Sequence, residues 1–155
     1  MTAQYWLMKS EPSVFSIQDL KRKKREAWDG VRNYQARNYL KDGMKPGDLA
    51  IFYHSNAEPS GPAGICRIAG PSRPDPTAFD PKSDHFDASS DPSKPRWWLV
   101  DVEFVSAFSQ VLPLASLRDI PELADMTLLR KGQRLSVMPI TAKEFQRIKN
   151  LAEKS

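Results

Sequence analysis

The sequence contains one cysteine, Cys66, and no long apolar run. A single cysteine excludes an intrachain disulfide and a zinc site built from several cysteines. Apolar runs of only a few residues are too short to cross a bilayer, and the N-terminal residues lack the basic-then-apolar layout of a signal peptide. We therefore expect a protein of the cytoplasm, or of the nucleus in a nucleated cell, with no membrane partner.

The common catalytic motifs are also missing. There is no G-x-S-x-G elbow, P-loop, G-x-G-x-x-G or H-E-x-x-H in the sequence, so these hydrolase, nucleotide and zinc-protease chemistries have no motif behind them. His54 and Ser55 cannot act as a pair, because neighbours on a strand point to opposite faces. His54, His85 and Cys66 lack the spacing of metal ligands. We expect no catalytic residues, no metal and no cofactor.

The charge of the chain is unevenly distributed. Residues 1–45 contain ten lysines and arginines against five aspartates and glutamates, whereas the whole chain of 155 residues has a net charge of +4. A local basic surface suits a phosphate-bearing partner. The basic run Lys21–Arg25 is equally typical of a solvated helix end or a targeting-like run. The length and the 40% hydrophobic content predict a single soluble domain over residues 1–155.

Hydrophobic periodicity predicts six strands and at least four helices. The strands are Gln4–Met8, Arg25–Trp28, Leu49–Ser55, Ala63–Ala69, Arg96–Phe108 and Leu135–Met138. The helices begin near Ser16, Tyr34, Leu112 and Thr141, with Asn33 as the N-cap of the second and Gly43 as its C-cap. The predicted fold class is α+β, a small β-barrel or curled sheet of five to seven strands with peripheral helices.

Residues 71–95 contain six prolines and few apolar side chains. This composition predicts a long irregular excursion, and we expect Phe79 and Phe86 to anchor it to the rest of the fold. Loops of this length are often functional. A surface flap that covers one end of the core is the alternative, and the sequence leaves both open.

The segment Trp28–Tyr39 has the composition of a binding site. It holds three aromatic residues, two arginines and two asparagines within twelve positions. Its first part precedes a predicted helix N-terminus, where free amides and the helix dipole favour an anionic or hydrogen-bond-accepting ligand. Trp28 can offer a flat face to a planar group. Core packing by Trp28 and Tyr39, with Arg32 and Arg37 on a solvated helix face, is the ordinary alternative.

Side chains that can stack on a nucleobase or hydrogen bond to its edge occur at several positions. The candidate ligand-binding residues are Ser10, Trp28, Arg32, Asn33, Tyr53, His54, Ser55, Trp97 and Asp101. Among them, Asn33 or Asp101 could discriminate an exocyclic amine. Basic residues nearby would hold phosphates without reading sequence. The candidate phosphate-binding residues are Lys9, Lys21, Arg22, Lys23, Lys24, Arg25 and Arg37.

Several motifs in order along the chain resemble the EVE domain family. They are Tyr5–Pro12, Trp28–Asn38, Phe52–Asn56, Thr77–Lys82, Pro95–Trp97, Val100–Val102 and Leu135–Val137. EVE domains belong to the PUA-like superfamily of small β-barrels with flanking helices. The resemblance implies nucleic-acid binding, with modified bases such as 5-methylcytosine or 5-hydroxymethylcytosine as suspected ligands. Ala57 and the turn Ser60–Pro62 depart from the family pattern and put the ligand preference in question more than the fold.

The chain is also similar, more locally, to the YTH domain, a reader of adenine methylated on its exocyclic amine. Lys9-Ser10 and Trp28 match its strand end and its cage tryptophan, so Trp28 is the first candidate for base stacking. The expected function is a non-catalytic reader of a modified base, with DNA or RNA as partner. A general RNA-binding protein without modification preference is one alternative, and a nucleobase or nucleotide binder or enzyme is another. The oligomeric state stays open.

Overall fold

A computed structural model of the chain describes residues 4–132 and 135–154. The strands are β1 (Tyr5–Ser10), β2 (Arg25–Trp28), β3 (Leu49–His54), β4 (Gly61–Ile68), β5 (Arg73–Pro74), β6 (Trp98–Ala107) and β7 (Val137–Ile140). The helices are α1 (Ile17–Lys23), α2 (Tyr34–Asn38), α3 (Leu114–Arg118) and α4 (Ala142–Lys154). Short 3-10 turns cover Pro76–Phe79, Pro121–Leu123 and Thr127–Leu129. No helix within the described ranges is both long and apolar enough to cross a membrane.

The strands form one mixed sheet in the order β2-β6-β4-β3-β1-β7, with β5 paired to β6. The β1–β3 pair is parallel and the other pairs are antiparallel. The sheet is barrel-like but does not close, because β2 and β7 end its two sides without pairing to each other. The predicted α+β class, with five to seven strands and peripheral helices, is confirmed: the described residues form seven strands, and the barrel has an open seam between β2 and β7.

The two faces of the sheet pack into separate hydrophobic cores. The first core contains Trp28 and Phe52 together with side chains of α1 and α2. The second core contains Ile51 and Tyr53 together with side chains of α3 and α4. Alternate residues of β3 therefore point to opposite cores, as the period of two in its sequence predicts.

The helices begin where their capping residues predict. Ser16 and Asp19 exchange hydrogen bonds of 2.8 and 3.1 Å between side chain and backbone at the start of α1. The same reciprocal pair forms between Thr141 and Glu144 before α4. The side chain of Asn33 accepts a hydrogen bond from the third residue of α2 at 2.9 Å. Each pair satisfies amides that the helix itself leaves free.

The second helix ends at Gly43 as predicted, but Gly43 is its last residue and not its C-cap. The helix continues from Tyr39 through Gly43 as one π-helical turn, in which the amide of Met44 donates to the carbonyl of Tyr39 at 2.9 Å. A Cβ atom at Gly43 would lie only 2.8 Å from the indole ring of Trp6. The glycine is therefore required for the close approach of the turn to the sheet and not for a helix cap.

The last strand lies two residues later than predicted. β7 pairs antiparallel with β1 from Tyr5–Ile140 to Met8–Val137. It contains Pro139, which cannot donate a hydrogen bond to a neighbouring strand. The proline is tolerated because β7 is an edge strand, and it helps to leave the seam unpaired on that side.

His54 is a structural residue at the end of β3. It is buried, and its Nε2 atom accepts a hydrogen bond from the amide of Ile17 at 3.1 Å. Its ring packs edge-on against Phe52, with ring centroids 5.7 Å apart. Burial lowers the pKa of His54. The neutral ring thus fastens the start of α1 to the sheet, and protonation would break this hydrogen bond.

We expect His54 to make the stability of the fold depend on pH. Unfolded histidine titrates near pH 6.5, and the folded pKa of His54 is lower. Below about pH 6.5, His54 is protonated in the unfolded chain but stays neutral in the folded chain until a lower pH. The free energy of unfolding therefore falls as the pH drops. Urea unfolding between pH 5 and pH 7.5 measures this slope.

In the variant His54→Gln, the free energy of unfolding should depend less on pH than in the wild type. This holds whether the variant is more or less stable than the wild type. The matched variant His85→Gln removes the other, exposed histidine and should keep the wild-type slope. An unchanged slope in His54→Gln, or a slope that only His85→Gln removes, would show that His54 is not the titrating group.

Candidate nucleic-acid interface

A cleft of about 570 Å³ opens at the seam of the sheet. The edge strand β2 supplies one wall, and the end of β1 with Ser136, just before β7, supplies the opposite wall. The side chains and backbone that line it belong to Lys9, Ser10, Glu11, Val14, Phe15, Lys23, Glu26, Ala27, Trp28, Asp29, Gly30, Val31, Arg32, His85 and Ser136. The space that a closed barrel would fill with strand pairing is thus available to a ligand.

Trp28 is the large aromatic residue of the cleft. It ends β2, where it pairs with Val100 of β6, and only 7% of it is exposed. Its ring meets Phe52 at 86°, with centroids 5.4 Å apart. Packing against the first core fixes the indole, so its accessible part presents a rigid apolar surface to the cleft.

The end of β1 forms the opposite wall. The hydroxyl of Ser10 donates to the carbonyl of Phe15 at 2.7 Å, and the amide of Lys9 donates to the carbonyl of Ser136 at 2.8 Å. The ammonium of Lys9 lies 5.6 Å from the centre of the Tyr53 ring. Burial lowers the pKa of Lys9. This wall is therefore preorganised, and Ser10 keeps acceptor capacity for a ligand.

The charge of the cleft is mixed rather than uniformly basic. Glu11 accepts a hydrogen bond from Asn56, and Glu26 accepts one from Lys23 at 3.1 Å. Asp29 stands exposed at the mouth. Loss of water around its carboxyl group raises the pKa of Asp29, and the negative charge of Asp75 raises it further. These three carboxylates offset the three cations of the lining, Lys9, Lys23 and Arg32, so the cleft has little net charge and suits a neutral ligand with N–H donors better than a phosphate.

Asp75 connects this region to the long excursion. Its carboxylate is fully buried and accepts hydrogen bonds from the amide of Gly30 at 2.8 Å, the guanidinium of Arg32 at 3.1 Å and the hydroxyl of Thr77 at 2.6 Å. Burial raises the pKa of Asp75, but these hydrogen bonds outweigh burial and hold it below its ordinary value. The segment after Trp28 and the excursion are thereby fixed to each other.

Arg32 completes this connection. Its guanidinium donates to the carbonyl of His85 at 2.6 Å and to the hydroxyl of Thr77 at 3.1 Å. It also lies 5.3 Å from the centre of the Trp97 ring, in a cation–π arrangement. The prediction that Arg32 reads a base edge therefore meets a competing role, because most of its donors already bind protein groups.

The excursion is anchored by other residues than predicted. Phe86 is 43% exposed and Phe79 is half-buried, so the expectation that both anchor the excursion is wrong. The buried anchors are Asp75, Ala78 and Trp97. Polar and backbone hydrogen bonds, rather than large apolar side chains, hold this segment in place. His85 packs over Gly30 and forms one side of the cleft mouth.

The candidate ligand-binding residues are divided between the cleft and other parts of the fold. Ser10, Trp28 and Arg32 line the cleft. The others do not contribute to its lining, and they are Asn33, Tyr53, His54, Ser55, Trp97 and Asp101.

Five of these six side chains have a structural contact of their own, and Ser55 has one through its backbone amide. Tyr53 lies in the second core. The indole of Trp97 donates to Asp87 at 2.7 Å and stacks on Tyr34, with ring centroids 5.0 Å apart. Asp101 forms a salt bridge of 3.1 Å with Arg73. The side chain of Asn33 caps α2, His54 binds the start of α1, and the amide of Ser55 donates to the carbonyl of Ser10 at 3.0 Å.

Several residues that line the cleft were not among the candidates from the sequence. Asp29 directly follows Trp28, and this position next to the predicted stacking residue could have identified it. Ser136 and His85 come from segments that are distant along the chain, and no local pattern connects them to Trp28. Glu26 lies in β2 two residues before Trp28, and its alternation with Trp28 predicts the same face.

The candidate phosphate-binding residues form an exposed group beside the cleft. Lys21–Arg25 are all exposed, and Lys23 lines the cleft itself. Arg22 pairs with Asp19, and Arg25 lies 4.0 Å from Asp101. Arg37, in contrast, donates to the carbonyl of Arg96 at 2.8 Å and lies over the ring of Tyr34. Surface ion pairs of this kind are weak, so a phosphate can compete for these cations.

The variant Asp75→Ala should lower the free energy of unfolding by about 3–5 kcal/mol, because it leaves the partly buried Arg32 without its counter-ion. It should also speed hydrogen exchange of the backbone amides in residues 76–97. The control Asp84→Ala removes an exposed carboxylate of the same excursion and should change stability by no more than about 0.5 kcal/mol. Equal effects of the two variants would contradict the anchoring role of Asp75.

Comparisons with known proteins give matches over nearly the whole chain. Human thymocyte nuclear protein 1 is 42% identical over 171 residues, which cover 98% of this chain and 75% of the human protein. A crystal structure of a protein from Pseudomonas syringae has 49% identity and a TM-score of 0.92, and covers 96% of this chain and 99% of that chain. A crystal structure of human THYN1 protein in complex with 5-methylcytosine containing DNA has 42% identity and a TM-score of 0.91, and covers 99% of both chains.

The similarity to the YTH domain is confined to the fold. The Mmi1 YTH domain has a TM-score of 0.58 and 13% identity, over 98% of this chain and 89% of that chain. The model of the EVE domain, in contrast, matches residues 4–151. Together with relatives of about 42% identity over most of their length, this match shows that the chain belongs to the EVE domain family.

Proposed function

We propose that this protein binds nucleic acid and takes a single modified base, such as 5-methylcytosine or 5-hydroxymethylcytosine, into the cleft at the seam of the sheet. The observation that carries this proposal is the rigid Trp28 surface inside a cleft with polar walls. The crystal structure of the human relative with 5-methylcytosine containing DNA supports the same ligand class.

The energetics of such binding favour a modified base by a modest amount. Stacking of a base on an aromatic side chain contributes about 1–3 kcal/mol, whereas extrusion of a base from a duplex costs a few kcal/mol. A methyl group that is buried on the apolar part of the cleft adds about 0.8 kcal/mol, which is roughly a fourfold gain in affinity. The pocket therefore separates modified from plain cytosine, and prefers single strands to duplexes.

The exposed basic run supplies the part of the affinity that is independent of the base. Lys21–Arg25 lie at the end of α1 and at the start of β2, next to the cleft. Lysine and arginine contacts to phosphates position a strand and release counter-ions, but they carry no sequence information. We propose that this run holds the backbone of the strand whose base enters the cleft.

We propose a binding role rather than a catalytic one. Two buried side chains that are suited to proton transfer are engaged in the fold, since His54 accepts a hydrogen bond from the amide of Ile17 and Asp75 forms an ion pair with Arg32. Cys66 is fully buried, and burial raises its pKa to about 12, so it is a poor nucleophile. Such a reader would act in the cytoplasm, or in the nucleus of a nucleated cell.

The variant Trp28→Leu keeps an apolar side chain but removes the aromatic face. It should weaken binding of a single-stranded oligonucleotide with one 5-methylcytosine by about tenfold, which corresponds to about 1.4 kcal/mol of lost stacking. The wild type should bind this oligonucleotide at least about fourfold more tightly than its unmodified counterpart. Fluorescence anisotropy titrations at two salt concentrations measure both ratios.

The matched variant Trp98→Leu removes a half-buried tryptophan of β6 that lies outside the cleft. It should leave the affinity and the preference for the modified base within about twofold of the wild type, once thermal unfolding shows that both variants are folded. Equal losses in both variants would argue against stacking on Trp28. Equal wild-type binding of all oligonucleotides, with a steep salt dependence, would instead support general RNA binding.

A further inference from the structure

The cleft contains three carboxylates, an unusual feature for a surface that meets nucleic acid. Glu11 and Glu26 are each engaged by a neighbouring side chain, Asn56 and Lys23. The carboxylate of Asp29 differs, because its hydrogen bonding involves its own backbone amide. A carboxylate repels phosphate, so its place beside Trp28 requires another kind of partner.

The position of Asp29 is fixed from both sides. Trp28 precedes it in β2 and packs on the first core. Gly30 follows it, with its amide bound to Asp75 at 2.8 Å and with His85 so close that a Cβ atom at Gly30 would lie 2.6 Å from the imidazole. Asp29 is therefore presented at the cleft mouth by a rigid backbone, directly after the residue on which the base would lie.

The surroundings of Asp29 compensate its negative charge only in part. Loss of water around the carboxyl group raises its pKa most and the charge of Asp75 raises it further, whereas the neighbouring His85 and a backbone hydrogen bond offset part of this rise. A ligand that donates an N–H hydrogen bond would stabilise the ionised form, whereas a ligand that presents an oxygen acceptor would face it with a like partial charge. The charge at Asp29 thus favours a base edge with an N–H donor over a base edge with an oxygen acceptor.

We propose that Asp29 selects bases that carry an exocyclic amine against bases that carry a carbonyl at the same position. This inference rests on the proposed function, because it assumes that the base lies on Trp28. A carboxylate accepts a hydrogen bond from the amine of cytosine, which is a pairing known from base recognition. Trp28 alone cannot make this choice, since 5-methylcytosine and thymine have the same shape and the same methyl group.

The pair 5-methylcytosine and thymine therefore tests Asp29 separately from stacking and from the methyl group. Two single-stranded oligonucleotides that differ only at one central position, one with each base, should differ at least tenfold in affinity for the wild type. A site that hydrogen bonds one edge rejects the other strongly because polar groups would be left unpaired. The variant Asp29→Asn should narrow this ratio to threefold or less, because its amide can also donate to the carbonyl of thymine.

The control Asp119→Asn makes the same chemical change at an exposed carboxylate that directly follows α3, outside the cleft. It should keep the wild-type ratio, which excludes a mere effect of net charge. Thermal unfolding should show that both variants are folded, and Asp29→Ala repeats the test with a residue that can neither accept nor donate.

Two outcomes would overturn the role of Asp29. They are equal wild-type affinity for the two bases, and an unchanged ratio of the two affinities in Asp29→Asn, whether or not both affinities fall together. Failure of the proposed function has a different signature, in which the wild type does not distinguish 5-methylcytosine from plain cytosine.

Discussion

The buried ion pair between Asp75 and Arg32 is the interaction on which the cleft depends. The fully buried carboxylate collects the amide of Gly30, the guanidinium of Arg32 and both donors of Thr77. Arg32 in turn holds the carbonyl of His85 and lies over Trp97. One network thereby joins the end of β2 to an excursion that has few large buried side chains of its own. The same network fixes both the backbone at Asp29 and the side of the cleft that His85 forms.

The open seam between β2 and β7 provides the space in which a ligand can bind. Edge strands are usually a hazard, because unpaired backbone groups invite aggregation. Here β2 and β7 flank a cleft, and the turn before α1 and the excursion cover its ends. Pro139 in β7 removes one donor from that edge. A closed barrel would protect the edges fully but would leave no space beside Trp28, so the incomplete closure and the binding capacity have one structural origin.

Local sequence signals predicted much of this arrangement. Short-range patterns predict the alternation along β3 and the capping residues of α1 and α4. They also predict that Trp28 and Ser10 lie at the binding site. The ion pairs of Arg32 and Asp101 are not predicted in this way, because each depends on a partner far along the chain. Asp75 lies 43 residues from Arg32, and Arg73 lies 28 residues from Asp101. A free arginine and a paired arginine look the same in sequence, so composition does not reveal that the fold also uses these charges internally, and ligand binding by the two residues stays a prediction.

A modified base that lies against Trp28 within the seam brings its methyl group close to the indole ring. NMR can detect this contact in a complex with a single-stranded oligonucleotide whose one 5-methylcytosine carries a ¹³C-labelled methyl group. We expect the indole ring to shift the methyl signal upfield on binding, and we expect a nuclear Overhauser contact between the methyl group and Trp28. If the oligonucleotide binds but its methyl signal keeps its free position and shows no contact to Trp28, the base does not lie on this residue.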